Sequence, residues 1–304
     1  MEPHLTAFAT DLLEPFDQQI KRLYLHTSPE FAMKKLLVGG MERIFQLCKT
    51  WRNAERSTTH HPEFTMLEWY RANRDWRAGA GDCVALIRAA GLVTKGFRNG
   101  TMTVNRSEKN CDLNELPDYL SVAEAFTKFC DIDLLATTSD PLFPNRDLLA
   151  EEAERLKVYV RLQDDWETIF FRLFLELIEP NLGCERPTVL YDWPLSMAAL
   201  SRQSADDKRI AERFEIYVCG LELANGFSEL IDAAEQRRRF EVDSEKKKAL
   251  YGYSYPMDED FLDALVHGLP ESTGIALGFD RLVMLCTGAK AIEDVLWAPV
   301  VQAP

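Results

Sequence analysis

The sequence predicts an α+β fold, and three observations carry that expectation. Strand-type alternation appears near residues 44–70, again at 188–222, and once more at 274–280. Amphipathic helical runs fill the interval between the first two. No internal repeat or low-complexity linker interrupts the chain, so a single domain over residues 1–304 is the economical reading, and 46% apolar content can build its core.

The elements follow in order. TSPEFAMKKLLVGG predicts a short helix, with Ser28 as N-cap, Pro29 as first residue, and Gly39 and Gly40 as the stop. IFQLCKTWR (44–52) and PEFTMLEWY (62–70) predict two strands joined by the polar loop 53–61; a hairpin loop of that size is usually functional. From Trp76 to about Gly183 the chain reads as mostly helical, with runs at 80–90, 122–129, 148–156 and 167–178 that suit a scaffold. TVLYDWP (188–194) is a strand, and RFEIYVCG (213–220) is another. A charged helix over 233–250 pairs Glu235 with Arg239 at i,i+4 and presents a solvated face. GIALGFD (274–280) is a strand that passes directly into a helix beginning at Arg281.

Composition narrows the function. Lysine and arginine number 35 against 49 acidic residues, a net charge of −14, so a broad nucleic-acid footprint is not expected. The seven cysteines and five histidines show neither CxxC spacing nor metal-site pairing, which fits reduced thiols in a cytoplasmic protein. The N-terminal residues lack a signal-peptide pattern, and no stretch approaches the ~20 apolar residues of a membrane span.

Chemistry concentrates in a few places. In RFEIYVC, Phe214, Ile216 and Val218 alternate with Glu215 and Tyr217. A tight turn at Cys219 and Gly220 pairs Tyr217 with Glu222, which brings Glu222 diagonally next to Glu215. Two carboxylates on one face repel unless a cation lies between them, and hard oxygen ligands suit magnesium. On the 62–70 strand Phe64, Met66, Glu68 and Tyr70 share a face that can stack a planar base at one end and hold an ammonium at the other. Taken alone, Glu68 is more often an edge-strand acid that reaches water. Arg52 stands at the loop mouth, where its fork can grip a phosphate or a carboxylate. His60 and His61 lie on the loop. Arg281 opens a helix where the dipole favours acids, so a cation there points to an anionic ligand.

The order of these segments resembles the class II aminoacyl-tRNA synthetase catalytic domain, a central antiparallel β-sheet flanked by helices. WRNAERSTTHHPEFTMLEWY is similar to motif 2, GFDR followed by LVML to motif 3, and GLELANGFSEL to the amino-acid-binding segment of the lysine subgroup. Over nearly the whole chain the motifs most resemble the lysyl-tRNA synthetase paralogues that attach (R)-β-lysine to elongation factor P. The resemblance implies ATP-dependent formation of an aminoacyl-adenylate and its transfer to a protein lysine. It places ATP on Arg52, Asn53, His60, Phe64, Glu215, Glu222 and Arg281, with Arg52 and Arg281 catalytic and Glu215 and Glu222 holding magnesium. It places the amino acid on Ser28, Glu30, Glu68, Tyr70, Asn225, Glu229 and Ala276. Without the resemblance, Glu30 reads as a first-turn acid complementing its helix dipole. Ala276 stands where lysyl-tRNA synthetases usually carry glycine, so a methyl group there is expected to favour the β-amino isomer.

Two departures accompany the match. The arginine–x–glutamate pattern of motif 2 reads Arg52, Asn53, Ala54, with Glu55 displaced by one. The motif 1 strand, which forms the homodimer interface in this class, has no counterpart after Met1, so dimerisation is expected to be weakened or rebuilt. The 304 residues leave no room for an anticodon-binding domain beside the catalytic one, so tRNA is not the expected acceptor; a real truncation and a start assigned too far downstream account equally for the short N-terminus. The rival readings are an adenylate-forming ligase for another acceptor, an asparagine-synthetase-like amide former, and a non-catalytic paralogue that binds amino acid or partner protein.

Overall fold

Two-residue turns fix the register of two hairpins. The computed structural model describes residues 5–14, 20–94 and 102–300, in two compact units. The first comprises Met1–Ala72, Ile231–Pro270 and Ala276–Pro304, and the second Asn73–Leu230 and Glu271–Ile275.

In the first unit β1 (Ala9–Leu13) pairs antiparallel with β2 (Ile20–Tyr24), a hairpin not expected from sequence. Helix α1 (Glu30–Val38) follows. It starts one residue later than the Ser28 and Pro29 pattern implied: Pro29 is the N-cap, while the Ser28 hydroxyl still accepts the Glu30 N–H at 3.0 Å. Strands β3 (Arg43–Trp51) and β4 (Glu63–Ala72) pair along their whole length, from Arg43 opposite Arg71 to Trp51 opposite Glu63. Helix α6 (Ala233–Tyr251) begins at the Asp232 cap and stops at Gly252, whose φ of 77° is the left-handed conformation a helix stop uses. Arg239 donates to Glu235 at 2.8 Å as expected, but the helix is not simply a solvated face, since Gln236, Arg239, Phe240 and Lys247 are buried. Helix α7 (Glu259–Gly268) packs Phe261 flat against Phe31 of α1, with ring centres 4.5 Å apart. Helix α8 (Phe279–Thr287) follows, and a short 3-10 turn, Ile292–Val295, comes after it.

In the second unit α2 (Trp76–Thr94), α3 (Val122–Cys130), α4 (Arg146–Arg155) and α5 (Trp166–Leu173) match the expected helical runs, and α5 continues through a π turn, Phe174–Ile178. Ser121 and Glu124 form a capping box on α3, while Asn145 and Asp165 cap α4 and α5. The described residues of the middle, which leave out 95–101, are mostly helical as expected, and they also hold β5 (Thr103–Arg106), β6 (Lys109–Asp112) and β7 (Asp118–Ser121). The β5–β6 turn places Ser107 and Glu108 at φ of 48° and 66°, a mirror-image turn without the usual glycine or asparagine.

Four further strands shape the sheet of this unit: β8 (Thr188–Pro194), β9 (Ile210–Val218), β10 (Leu221–Ser228) and the start of β11 (Ser272–Gly278), which ends in the first unit. Their order is β11-β10-β9-β8-β7. The pairing is antiparallel at β8–β9 and β9–β10 but parallel at β7–β8, so the sheet is mixed rather than wholly antiparallel. Its core gathers Phe126, Phe170, Phe174, Trp193 and Tyr217. Among the described residues no helix is long and apolar enough to cross a membrane.

Candidate active site

The β9–β10 hairpin carries the paired carboxylates. Cys219 and Gly220 occupy positive φ, 53° and 67°, the conformation of a two-residue hairpin turn whose twist suits the strands. Tyr217 then lies opposite Glu222 as the sequence implies. A bulge between Glu222 and Ala224 shifts the register by one and sets Asn225 opposite Glu215. Bulges re-aim side chains, and this one brings Asn225 Nδ2 to 3.3 Å from Glu215 Oε1.

Glu215 is buried, yet its carboxylate is well served. Arg213 donates to Oε1 at 2.6 Å and the Tyr217 hydroxyl to Oε2 at 2.5 Å. Burial raises its pKa to about 7; the charge of Glu222 adds to the rise, and Arg213 opposes it. Arg213, Glu215 and Tyr217 stand at alternate positions, so all three point to one face of β9. Arg213 and Tyr217 were not among the expected site residues, although the same period of two that singled out Glu215 would have found them. The guanidinium of Arg213 also lies 4.3 Å from the Trp193 ring centre.

Glu229 is buried at the end of β10, where its backbone N–H donates to the Ser272 carbonyl at 2.9 Å. Ala276 is half-buried on β11.

In the first unit Met66, Glu68 and Tyr70 are buried along one face of β4, with Phe64 half-buried before them. Glu68 accepts hydrogen bonds from the Ser28 hydroxyl at 2.7 Å and from the Tyr70 hydroxyl at 2.5 Å. Ser28 therefore joins the end of α1 to the acid of β4. Glu30 is buried and ion-paired with Lys34 one turn later, so this first-turn acid does more than complement its helix dipole.

Arg52 lies at the loop mouth, its guanidinium carbon 5.4 Å from the Phe64 ring centre and its Nε donating to the Thr27 carbonyl at 3.3 Å. Asn53 is exposed, and its side-chain oxygen accepts the Ala54 N–H at 2.8 Å. Ala54 has φ of 63°, a left-handed conformation that costs a residue with a Cβ about 1–2 kcal/mol. Glu55, one residue on, lies 4.0 Å from Arg52. The two loop histidines separate in role. His61 is buried, donates from Nδ1 to the Glu63 carbonyl at 2.6 Å and accepts the Val300 N–H at Nε2, so it is a structural tie. His60 accepts from Arg281 at 2.6 Å through Nε2.

Arg281 is the third residue of α8 rather than its first, because the helix begins at Phe279. Its Nε donates to the Thr59 carbonyl at 3.1 Å, so motif 2 loop and motif 3 helix are joined within this unit. Asp280 beside it accepts the Thr65 N–H of β4 at 2.5 Å.

The model of the family "tRNA synthetases class II (D, K and N)" matches residues 3–302. The chain belongs to this family. Among curated relatives, a protein of Haemophilus ducreyi named elongation factor P--(R)-beta-lysine ligase is 40% identical over 293 residues, covering 96% of this chain and 81% of the relative. Proteins of the same name from Proteus mirabilis and Salmonella paratyphi B are also 40% identical, over 302 and 295 residues, covering 99% and 96% of this chain and 84% and 82% of theirs. The class II synthetase fold accounts for the α+β architecture and for the hairpins that carry motif 2 and the paired carboxylates.

Proposed function

We propose that the chain is an ATP-dependent, AMP-forming ligase that activates (R)-β-lysine and transfers it to a lysine ε-amino group of elongation factor P in the cytoplasm. The observation that carries this reading is 40% identity across 96% of the chain to proteins of that name. In the first step a carboxylate oxygen attacks the α-phosphorus of ATP and pyrophosphate leaves. In the second an ε-amine attacks the acyl carbon, AMP leaves, and the amine loses a proton to give an amide.

Neither step needs a nucleophile from the protein. The work is positioning and charge compensation. Arg52 grips the α-phosphate and the substrate carboxylate with its planar fork, Phe64 stacks on adenine, and Asn53 and His60 border the nucleotide. Arg281 holds the γ-phosphate at the start of α8, where the helix dipole adds to its charge. Glu68 with Tyr70 and Ser28, together with Glu229, receives the distal ammonium; Glu30 and Asn225 serve the amine near the carboxylate, and Ala276 shapes that end.

Magnesium fits Glu215 and Glu222. Their oxygens are hard ligands, and Glu222 lies opposite Tyr217, two residues from Glu215, close enough for its charge to raise the Glu215 pKa. A pair of carboxylates suits magnesium, which keeps waters and shares phosphate oxygens. When bound it neutralises charge on the phosphates.

With net charge −14 the acceptor is a protein rather than tRNA. We infer that the homodimer contact of this class, expected to be weakened without motif 1, is rebuilt on the outward face of the β3–β4 hairpin. There Phe45, 76% exposed, pairs with Trp69, and Leu47 pairs with Leu67. Sedimentation of the intact protein tests this, and a monomer at assay concentration would refute it. The function itself is tested by ATP–pyrophosphate exchange with (R)-β-lysine, α-lysine and aspartate, followed by mass spectrometry of elongation factor P. Exchange with no amine-bearing acid would sink the proposal.

A further inference from the structure

Glu215 and Asn225 face each other across β9 and β10. One side chain holds both. Arg213 donates from Nη2 to Glu215 Oε1 at 2.6 Å and from Nε to Asn225 Oδ1 at 3.3 Å. Its Nη1 donates to the Met197 carbonyl at 2.6 Å, and the Trp193 ring covers the guanidinium, 4.3 Å from its carbon. All three nitrogens are engaged and one face is stacked, so the group is a fixed plate rather than a swinging cation.

Counting acceptor positions shows what that plate constrains. A carboxylate offers about four, two on each oxygen. On Glu215, Oε1 accepts from Arg213 and Asn225, and Oε2 accepts from Tyr217. The remaining position is on Oε2. A cation drawn to Oε2 cannot reorient the carboxylate without moving Arg213, and moving Arg213 moves the oxygen of Asn225.

We propose that Arg213 is a positioning residue that couples the two ligands, so that the magnesium nucleotide held at Glu215 and the amino acid held at Asn225 each favour the other. This rests on the roles proposed above for Glu215 and Asn225. Whichever ligand binds first fixes the Arg213, Glu215 and Asn225 arrangement, and the second meets it already ordered. The period of two places Arg213 on the face of Glu215, but it gives no sign of this coupling, because Trp193 and Asn225 reach Arg213 from the two neighbouring strands.

The test is calorimetric titration of the intact protein with (R)-β-lysine, with and without magnesium chloride and α,β-methylene-ATP, a nucleotide that cannot form the adenylate. In wild type the nucleotide is expected to tighten amino-acid binding at least about fivefold, the low end of ordinary coupling, with a reciprocal effect of equal size. Arg213→Lys keeps a positive charge near Glu215 but lacks the planar fork that also reaches Asn225. Each ligand alone should still bind it, and the coupling factor should fall to near one. A lysine variant with the wild-type factor overturns the inference, as does a wild type that binds both ligands independently. A wild type that binds neither overturns the functional reading, and the inference with it. If Arg213→Lys melts below the assay temperature, Arg213→Gln, which keeps an uncharged donor, is judged by the same two results.

Discussion

Gly226 lies on β10 between Asn225 and Phe227, and a methyl group there has no room. A Cβ would sit 2.7 Å from the Gly274 carbonyl oxygen, 2.7 Å from Cζ of Phe214 and 2.9 Å from its Cε1. Ordinary contact begins at 3.4 Å, so the neighbours must open by 3.4 − 2.7 = 0.7 Å. One neighbour is backbone and the other is a ring with 0% exposure, and neither can swing aside. Overpacking of this kind costs about 1–3 kcal/mol. Replacing glycine by alanine returns about 0.4–1 kcal/mol through the unfolded chain. The expected balance for Gly226→Ala is a loss of about 1–2 kcal/mol, read as a lower urea midpoint at unchanged slope. The displaced strand carries Asn225, which faces Glu215, and a misplacement on the order of 1 Å costs a positioned reaction on the order of 100-fold. Pyrophosphate exchange should therefore slow at least about tenfold, since the shift is smaller. An unchanged midpoint would refute the packing argument; a lowered midpoint with unchanged exchange would refute the link from packing to positioning.

Three further outcomes are expected. Glu222→Gln removes a like charge beside buried Glu215, so the ligand-free protein should melt about 2 °C higher at pH 8, from a gain of about 1 kcal/mol, while ATP binding loses its magnesium dependence; a lower melting temperature with magnesium dependence intact would contradict both halves. Burial raises the Asp192 pKa from 3.8 to about 6, so the unfolded chain gives up this proton first and stability falls as pH climbs through that window. After a discount for its partial exposure, Asp192→Asn should gain about 1–2 kcal/mol at pH 8 and nothing near pH 3, and melts showing an equal gain at both would exclude this cause. Asp280→Ala strands the Thr65 N–H, so a loss of about 1.5–3 kcal/mol is expected in urea unfolding, with KM for ATP rising more than KM for the amino acid; a midpoint within error of wild type would show that the Asp280 bond contributes little.

What the sequence disclosed and what it withheld follow from how far each signal reaches along the chain. The β9–β10 register was legible because a two-residue turn dictates its pairs and Gly220 accepts positive φ without strain. The β5–β6 hairpin was not, since Ser107 and Glu108 take the same turn with no compositional mark, and β7 is a four-residue strand whose parallel partner lies far along the chain. Helix α6 hid its buried stripe because, apart from Phe240, that stripe is polar. Arg239 is neutralised by Glu235, and Lys247 lies 4.9 Å from the Tyr255 ring centre while donating to the Leu5 carbonyl, so hydropathy registers neither. The site divides in the same way. Glu68, Glu215 and Glu222 announce themselves as acids on strands with a buried face, where an ordinary core would have none. Arg213 shares that face, yet its role comes from Trp193 on the neighbouring strand and Asn225 across a bulge, partners that no period of two connects. A charged residue two positions from a buried acid is thus better weighed by what could stack on it and hold it than by its place at the strand's edge.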